Sequence, residues 1–487
     1  MNLTSKNTIT QTSSRLLRTS DDDQPHSRDL KDLFSALIVS LLPLEPHRVR
    51  FVKFEHTFLS EDAIRNLGNL KLTQSNRMPD PDNPSCSVTS TSTTTFSMSK
   101  DTARSLCQRF VDARFIEAAD GKPDQIFAHR GGVWKPTSKG TTIFDWFCQK
   151  NGINHDQLFE LRSLITGPLL YLERDSKTDK PHVDRATTEV IFCRMMGIDG
   201  RGKKGPLALA RQESATGIRL THERKINGRT YHDTCTGLQI SDWLRDKATC
   251  ADMKEAVNVA SHFVHYNLIE SVATDMAYMN QYVACKLFQP THLAVYTLSQ
   301  RGQDLIENSS SSRCSSQGKT DSSTSKGGVT ESNRLKLEKI LQEPTLRLLF
   351  RENLRSTYCE ETLAFYEQAD EFIQESKATL EGVKKGDKTA DENANELLSQ
   401  SHIIFNTFVA PGSPREVNIN HQLRLSLSDR MTKAQAQDST QADMLKEVTS
   451  LLESAQNAVF KLMASDSIPK FLNNPAAEDQ LVQAGVR

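Results

Sequence analysis

Residues 343–373 read EPTLRLLFRENLRSTYCEETLAFYEQADEFI. Pro344 suits the first position of a helix, where its missing N–H costs nothing. Leu363, Tyr366, Ala369, Phe372 and Ile373 then recur at helical spacing, the mark of an amphipathic helix with one buried stripe. The same period runs through Leu397, Ile404, Phe405 and Phe408, and through Leu445, Val448, Leu451, Leu452, Ala455, Val459, Leu462 and Met463. Pro411-Gly412 breaks the chain after Val409, and a long charged loop is expected from Gly382 to Asn395. The last third is thus predicted to be an all-α bundle, whose purpose periodicity leaves open. Six acidic residues fall between Glu360 and Glu375 with no Lys or Arg, which predicts either a solvated face or a surface that steers a basic partner.

Whole-chain quantities frame this bundle. At 487 residues the chain has room for about three domains of roughly 150 residues each. An apolar share of 37% and a mean hydropathy of -0.51 are low for one compact globule and predict unpacked linkers. A net charge of -1 argues against a nucleic-acid partner. Nine cysteines are scattered singly without a C-x-x-C pair, so neither a disulfide scaffold nor a zinc site is indicated. The first 27 residues are polar, and the longest apolar run, Leu33 to Leu44, spans 12 residues, too short to cross a bilayer. Neither terminus reads as a lipidation signal. The expectation is a cytoplasmic protein without cofactor or metal that reaches membranes only peripherally.

An internal repeat organises the first two thirds. CQRFVDARFIEAA at 107–119 parallels ASHFVHYNLIESV at 260–272, matching Phe110 with Phe263, Val111 with Val264 and Ile116 with Ile269. VWKPTSKG at 133–140 parallels VYTLSQRG at 295–302, and Asp62-Ala63-Ile64 parallels Asp242-Trp243-Leu244. The first copy carries extra residues that include PSCSVTSTSTTTFS, expected to be a flexible loop at about 80–98. Each copy predicts helix, helix and a short wing of strands, with the second helix of copy one ending near Gly121. The Ser-, Thr- and Gly-rich stretch 306–333 cannot bury enough apolar surface to fold and predicts a flexible tether.

Two nucleotide-site look-alikes do not survive inspection. Residues 200–205, GRGKKG, match G-x-G-x-x-G after a strand-like run, Val190 to Cys193, but no second βαβ unit follows. Gly318-Lys319-Thr320 sits in the tether and lacks the earlier glycine of a P-loop. No Ser-His-Asp, H-E-x-x-H or paired-carboxylate pattern supports a hydrolase.

The bundle segments 343–373, 402–409, 415–420 and 456–472 together resemble the regulator of G-protein signalling (RGS) domain. The repeats resemble DEP domains, the second through Cys235-Thr236-Gly237, Ile240 and Asp242-Trp243-Leu244. The order resembles the fungal DEP–RGS family. The fold class implied is multidomain and mainly α: two winged-helix-like α+β DEP modules followed by an all-α RGS bundle. The expected divisions are a disordered tail to 27, module one at 28–145, an intervening segment at 146–215, module two at 216–305, the tether, the RGS domain at 334–475 and a tail at 476–487. The resemblance implies a GTP-bound Gα subunit as partner, with catalysis left to Gα, which carries its own Arg and Gln. It implies receptor tails or anionic membrane as partners of the DEP modules. The alternative is a scaffold that docks a partner without accelerating hydrolysis.

Site residues carry over position by position. Asn418, beside Glu416, matches the family's central Asn, whose amide offers donors and an acceptor in one plane; a capping or turn Asn is the alternative. Asp466 and Ser467 match the acidic position that meets the first switch, with Leu462 packed beside it; a helix cap by Asp466 is the alternative. Tyr358 and Glu361 match the first contact loop. Two positions depart from the family: Thr362 replaces an Asn, and Lys470 replaces an Arg and loses its bidentate fork.

Overall fold

The computed structural model describes residues 8–14, 25–79, 87–122, 125–153, 155–175, 178–197, 217–282, 287–311, 326–384, 389–413, 415–433 and 440–487. Residues 200–205 and 318–320, the two nucleotide-site look-alikes, lie outside this set. The run before the first of them, Val190 to Cys193, is helical, so the strand that such a motif requires is missing there.

Module one comprises β1 (Thr8–Ser14), α1 (Ser27–Leu41), the hairpin β2 (Glu45–Val49) to β3 (Val52–Leu59), α2 (Ser60–Leu67), β4 (Asn69–Pro79), β5 (Ser87–Ser97), α3 (Lys100–Asp112), β6 (Ile116–Ala118), β7 (Val133–Pro136) and α4 (Ser138–Asn151). After α5 (Gln157–Arg162) and α6 (Arg185–Met195), module two repeats the plan. Its elements are β8 (Thr221–Ile226), β9 (Arg229–Thr236), α7 (Gly237–Lys247), α8 (Met253–His265), β10 (Ile269–Ala273), α9 (Met276–Gln281), β11 (Val295–Leu298) and α10 (Gln300–Ser311). The four-stranded sheets have one order, β2-β3-β7-β6 and β8-β9-β11-β10. The repeat is therefore structural as well as sequential.

Its hinge is a small motif present twice. Arg114 and Asn267 take left-handed φ of 56–58° at the end of the second helix, so Arg114, not Gly121, turns the chain out of α3. Thr137 Oγ1 donates to Arg114 O at 2.6 Å and accepts from Gly140 N at 3.0 Å. Ser299 Oγ donates to Asn267 O at 2.5 Å and accepts from Gly302 N at 3.0 Å. The last helix of each module crosses this turn so closely that a Cβ on Gly140 would lie 1.9 Å from Phe115 O, and one on Gly302 2.2 Å from Leu268 O. Only glycine fits there. Phe110 and Phe263 fill the two cores, as their matching predicts. Trp243 is half-buried at the core's edge, not inside it.

The Ser/Thr tract corrects the loop expectation. Residues 87–97 form β5, paired antiparallel with β4 and parallel with β1, whose residues 8–14 also correct the disorder expected of the first 27 residues. Its Val and Thr residues suit a strand, and the buried pair Leu70 and Phe96, in register, fixes it to the module.

The bundle contains α11 (Lys326–Gln342), α12 (Pro344–Ser356), α13 (Glu360–Lys384), α14 (Thr389–Ile404), a π-turn Phe405–Val409, α15 (His421–Lys433), α16 (Gln441–Leu462), a second π-turn Met463–Ser467, α17 (Ile468–Leu472) and α18 (Glu478–Gln483). Two expectations change. Residues 382–384 and 389–395 of the predicted charged loop are helical, and so are both described ends of the tether, to Ser311 and from Lys326.

The bundle is also joined to what precedes it. Phe192 on α6 meets Phe263 of module two at 5.7 Å, and their hydrophobic cluster continues without a break into Leu349, Phe350 and the bundle core. Residues 169–175 and 178–183 thread between the parts. Leu170 N donates to Lys247 O at 2.8 Å, and Arg174 clamps Glu255 with two bonds of 2.7 Å. The core of module one runs through α4, across residue 145, and on to Leu169.

Candidate protein-docking site

Three loops carry the residues singled out by the RGS resemblance. The first joins α12 to α13. Tyr358 sits at its tip with φ 56° and is 92% exposed. A left-handed tyrosine with its ring in solvent is unusual, and it is held by Cys359 N donating to Leu354 O at 2.9 Å. Glu361 is half-buried, and burial raises its carboxyl above the ordinary range against the pull of Arg415. Thr362 does not reach the surface. It is 6% exposed and its hydroxyl donates to Cys359 O at 2.7 Å, closing the first turn of α13. Its expected role as a contact hydroxyl is corrected to a local brace.

The second loop runs from the first π-turn to α15. Val417 and Ile419 point into the core while Glu416, Asn418 and Asn420 point out, an alternation typical of extended chain. Val417 N donates to Phe408 O at 2.8 Å. Glu416 is engaged by its own loop, accepting from Gly412 N at 2.9 Å and pairing with Arg424. The capping alternative for Asn418 does not apply, because Asn420 Oδ1 accepts from Gln422 N at 2.8 Å and serves the start of α15. Among the described residues, Asn418 makes no side-chain hydrogen bond, so its amide is exposed and unspent.

The third segment is the second π-turn and α17. Met463, Ala464, Ile468 and Phe471 are buried, leaving Asp466 and Lys470 exposed and Leu462 and Ser467 half-buried. No side chain caps α17, so the capping alternative for Asp466 also falls away. Phe471 packs edge-on against Phe350 of α12 at 5.2 Å, and Phe365 of α13 against Phe408 at 5.6 Å. All three segments therefore hang from one hydrophobic core. Two of them begin at π-turns, which recur at functional sites.

The acidic run of α13 is neither a free solvated face nor an open steering surface. Glu360 pairs with Arg355 at 3.1 Å and Arg415 at 3.5 Å, Glu367 pairs with Arg351 at 2.7 Å, and Glu371 pairs with Arg28 of module one. Arg347 and Arg351 of α12 also hold Glu173, at 2.9 and 3.0 Å. Burial pushes the Glu173 carboxyl up, but the two arginines overcome it and hold it below the ordinary carboxylate range. Arg28 with Glu371 and both arginines with Glu173 lie 174 positions or more apart, beyond the reach of local reading, whereas Arg355 with Glu360 and Arg351 with Glu367 lie only 5 and 16 positions apart and were overlooked.

Comparisons with known proteins agree with this architecture. The family model for the fungal-differentiation regulator winged helix domain matches residues 29–163, the DEP domain model residues 217–298, and the regulator of G protein signaling domain model residues 336–477. The DEP identity expected of both modules is thus supported for module two, while module one is matched by a winged-helix model of its own. Developmental regulator flbA of Emericella nidulans is 45% identical over 474 residues, covering 96% of this chain and 65% of that protein. Regulator of G-protein signaling 1 of Schizosaccharomyces pombe is 27% identical over 465 residues, covering 94% and 91%. Regulator of G-protein signaling 16 of Rattus norvegicus is 31% identical over 131 residues, covering 27% and 51%. The chain spans just under two thirds of the length of the first of these relatives.

Proposed function

We propose that this chain is a signalling regulator of the fungal DEP–RGS type and acts as a GTPase activator for the α subunit of a heterotrimeric G protein. The observation that carries the reading is the exposed, unspent amide of Asn418, on a loop that, like those bearing Tyr358 and Asp466, is anchored in the bundle core. A rigid surface that fits the hydrolytic geometry of Gα better than its ground state lowers the barrier by the difference in binding. Asn418, Tyr358, Glu361, Asp466, Ser467 and Lys470 would touch Gα; Leu462, Glu416 and Thr362 would hold those loops in shape.

The winged-helix modules would supply the address, a receptor tail or an anionic membrane. Support for the membrane comes from their hairpin tips. Arg48, Arg50 and Lys53 surround Phe51, which is 100% exposed, and Arg224, Lys225 and Arg229 surround the Asn227-Gly228 turn of module two. Basic residues around the apolar tip of module one suit an acidic lipid surface, and the polar tip of module two offers its charge alone. Among the described residues, no helix is long and apolar enough to cross a membrane.

The test is a titration of the full chain against Gα in its GDP, GTP-analogue and GDP–aluminium-fluoride forms. Activation predicts binding to the aluminium-fluoride form about a hundredfold tighter than to the GDP form. Equal affinity for all three forms would instead favour a docking scaffold, the reading that the inward-facing Thr362 and the Lys at 470 keep in play.

A further inference from the structure

Module one touches the candidate Gα surface from behind. The Trp146 ring on α4 carries the Arg355 guanidinium at 4.8 Å. Arg355, near the end of α12, donates through Nε to Glu360 Oε2 at 3.1 Å. The other oxygen of Glu360 lies 3.5 Å from Arg415, which stacks over Phe408 at 5.9 Å and opens the loop bearing Asn418. Trp146, Arg355, Glu360 and Arg415 therefore form one unbroken line. It starts on module one and ends at both loops of the candidate site. The junction is fastened further along by Arg28 with Glu371 and by Arg351 over the Tyr171 ring at 4.8 Å. A cavity of about 260 Å³ opens between the two parts, with Trp146, Lys150, Arg355 and Arg415 in its wall. The contact face itself stays open: Tyr358 is 92% exposed and Asn418 is exposed. This arrangement supports the loops and does not block them.

We propose that Trp146 of module one is a positioning residue for Gα recognition. Through Arg355 and Glu360 it holds the Tyr358 loop, and through Arg415 it sets the spacing of that loop from the Asn418 loop. The winged-helix module thus tunes the affinity of the RGS surface without touching Gα. The inference rests on the Gα reading above, and its test separates the two.

Full-length Trp146→Ala and Trp146→Phe are compared with the unaltered chain by two measurements. The first uses no Gα: amide exchange of residues 357–362 and 415–420. Trp146→Ala should expose these amides to faster exchange, because local opening follows the loss of local contacts, while Trp146→Phe retains the ring face and should not. The second is affinity for GDP–aluminium-fluoride Gα. It should fall about fivefold to tenfold in Trp146→Ala, the scale of one cation–π contact, with the hydrolysis rate at saturation unchanged because Asn418 is intact. Because Trp146 also packs on the core of module one, Arg355→Gln is made in parallel from the bundle side and should give the same loop-confined effect. If the unaltered chain bound no form of Gα, the functional reading would fail while the exchange measurement still decided the bracing. Loop exchange equal to the unaltered chain in both Trp146→Ala and Arg355→Gln would overturn it.

Discussion

Glu173→Gln is the sharpest probe of how the bundle is joined to the modules. Glu173 is 5% exposed and accepts from Arg347 Nε at 2.9 Å and Arg351 Nε at 3.0 Å. Each charge-assisted bond contributes roughly 1.5–3 kcal/mol, so the pair sets an upper scale of about 3–6 kcal/mol. Glutamine keeps the shape and one acceptor oxygen, and Arg351 keeps Glu367 at 2.7 Å. Those retained contacts bring the expected loss to about 3 kcal/mol, at the lower end for breaking a buried ion pair. The chain supplies its own reporters. All three tryptophans, Trp134, Trp146 and Trp243, precede the bundle, so fluorescence follows the modules, while far-ultraviolet circular dichroism is weighted towards the helical bundle. In urea the two signals should coincide for the unaltered chain, as one cooperative unit requires. In Glu173→Gln they should separate, with the bundle keeping its own midpoint. A stability loss below about 1 kcal/mol, the scale of an exposed pair, or signals already separate in the unaltered chain, would refute the view that this buried pair fastens the halves.

Further outcomes follow from the same contacts. Burial pulls the His402 imidazole from 6.5 down to about 4. Unfolded chains therefore take up a proton below pH 6.5 that the folded protein refuses until about pH 4, and stability should fall across that window by up to about 3 kcal/mol. His402→Gln should flatten this slope in pH-dependent urea unfolding; an unchanged slope would exclude His402 as its source. Gly302→Ala should destabilise by about 2 kcal/mol or more through overpacking against Leu268 O, read by thermal unfolding. Gly140→Ala should do the same at Phe115 O. Proteolytic cleavage between Ser311 and Lys326 should leave the two pieces associated on gel filtration, held by the shared core and the Glu173 and Arg28 pairs; separate elution would contradict the docked arrangement.

Much of the fold was legible because it is written locally. The helical stripes of 363–373 and 445–463, the Pro344 start and the Pro411-Gly412 break all depend on neighbours within a few residues. The repeat was legible because Phe110 with Phe263 and Gly140 with Gly302 occupy equivalent sites in two copies of one plan. The Asn227-Gly228 turn, with both residues at positive φ, was a hairpin signal that went unused. The Ser/Thr tract misled because its polarity outweighed its strand propensity until the pairing of Leu70 with Phe96 was visible. Thr362 misled because resemblance fixes a position along the chain and not the direction of a side chain. The docking of bundle on modules left no periodic trace: Glu173 and Arg347 are 174 positions apart. The acidic face of α13 looked solvated only while Arg28, Arg351, Arg355 and Arg415 were out of view.

The central claim, that the Asn418 surface accelerates hydrolysis by Gα, is tested most directly by single-turnover GTP hydrolysis on a Gα subunit that binds the chain. The intact chain should raise the rate, and Asn418→Ala should remove about a hundredfold of that acceleration, the scale of one donor aimed at a transition state. Its urea midpoint should not move, because the side chain is exposed and makes no hydrogen bond among the described residues. Acceleration by Asn418→Ala equal to that of the intact chain, or tight binding to Gα with no acceleration by the intact chain, would contradict it.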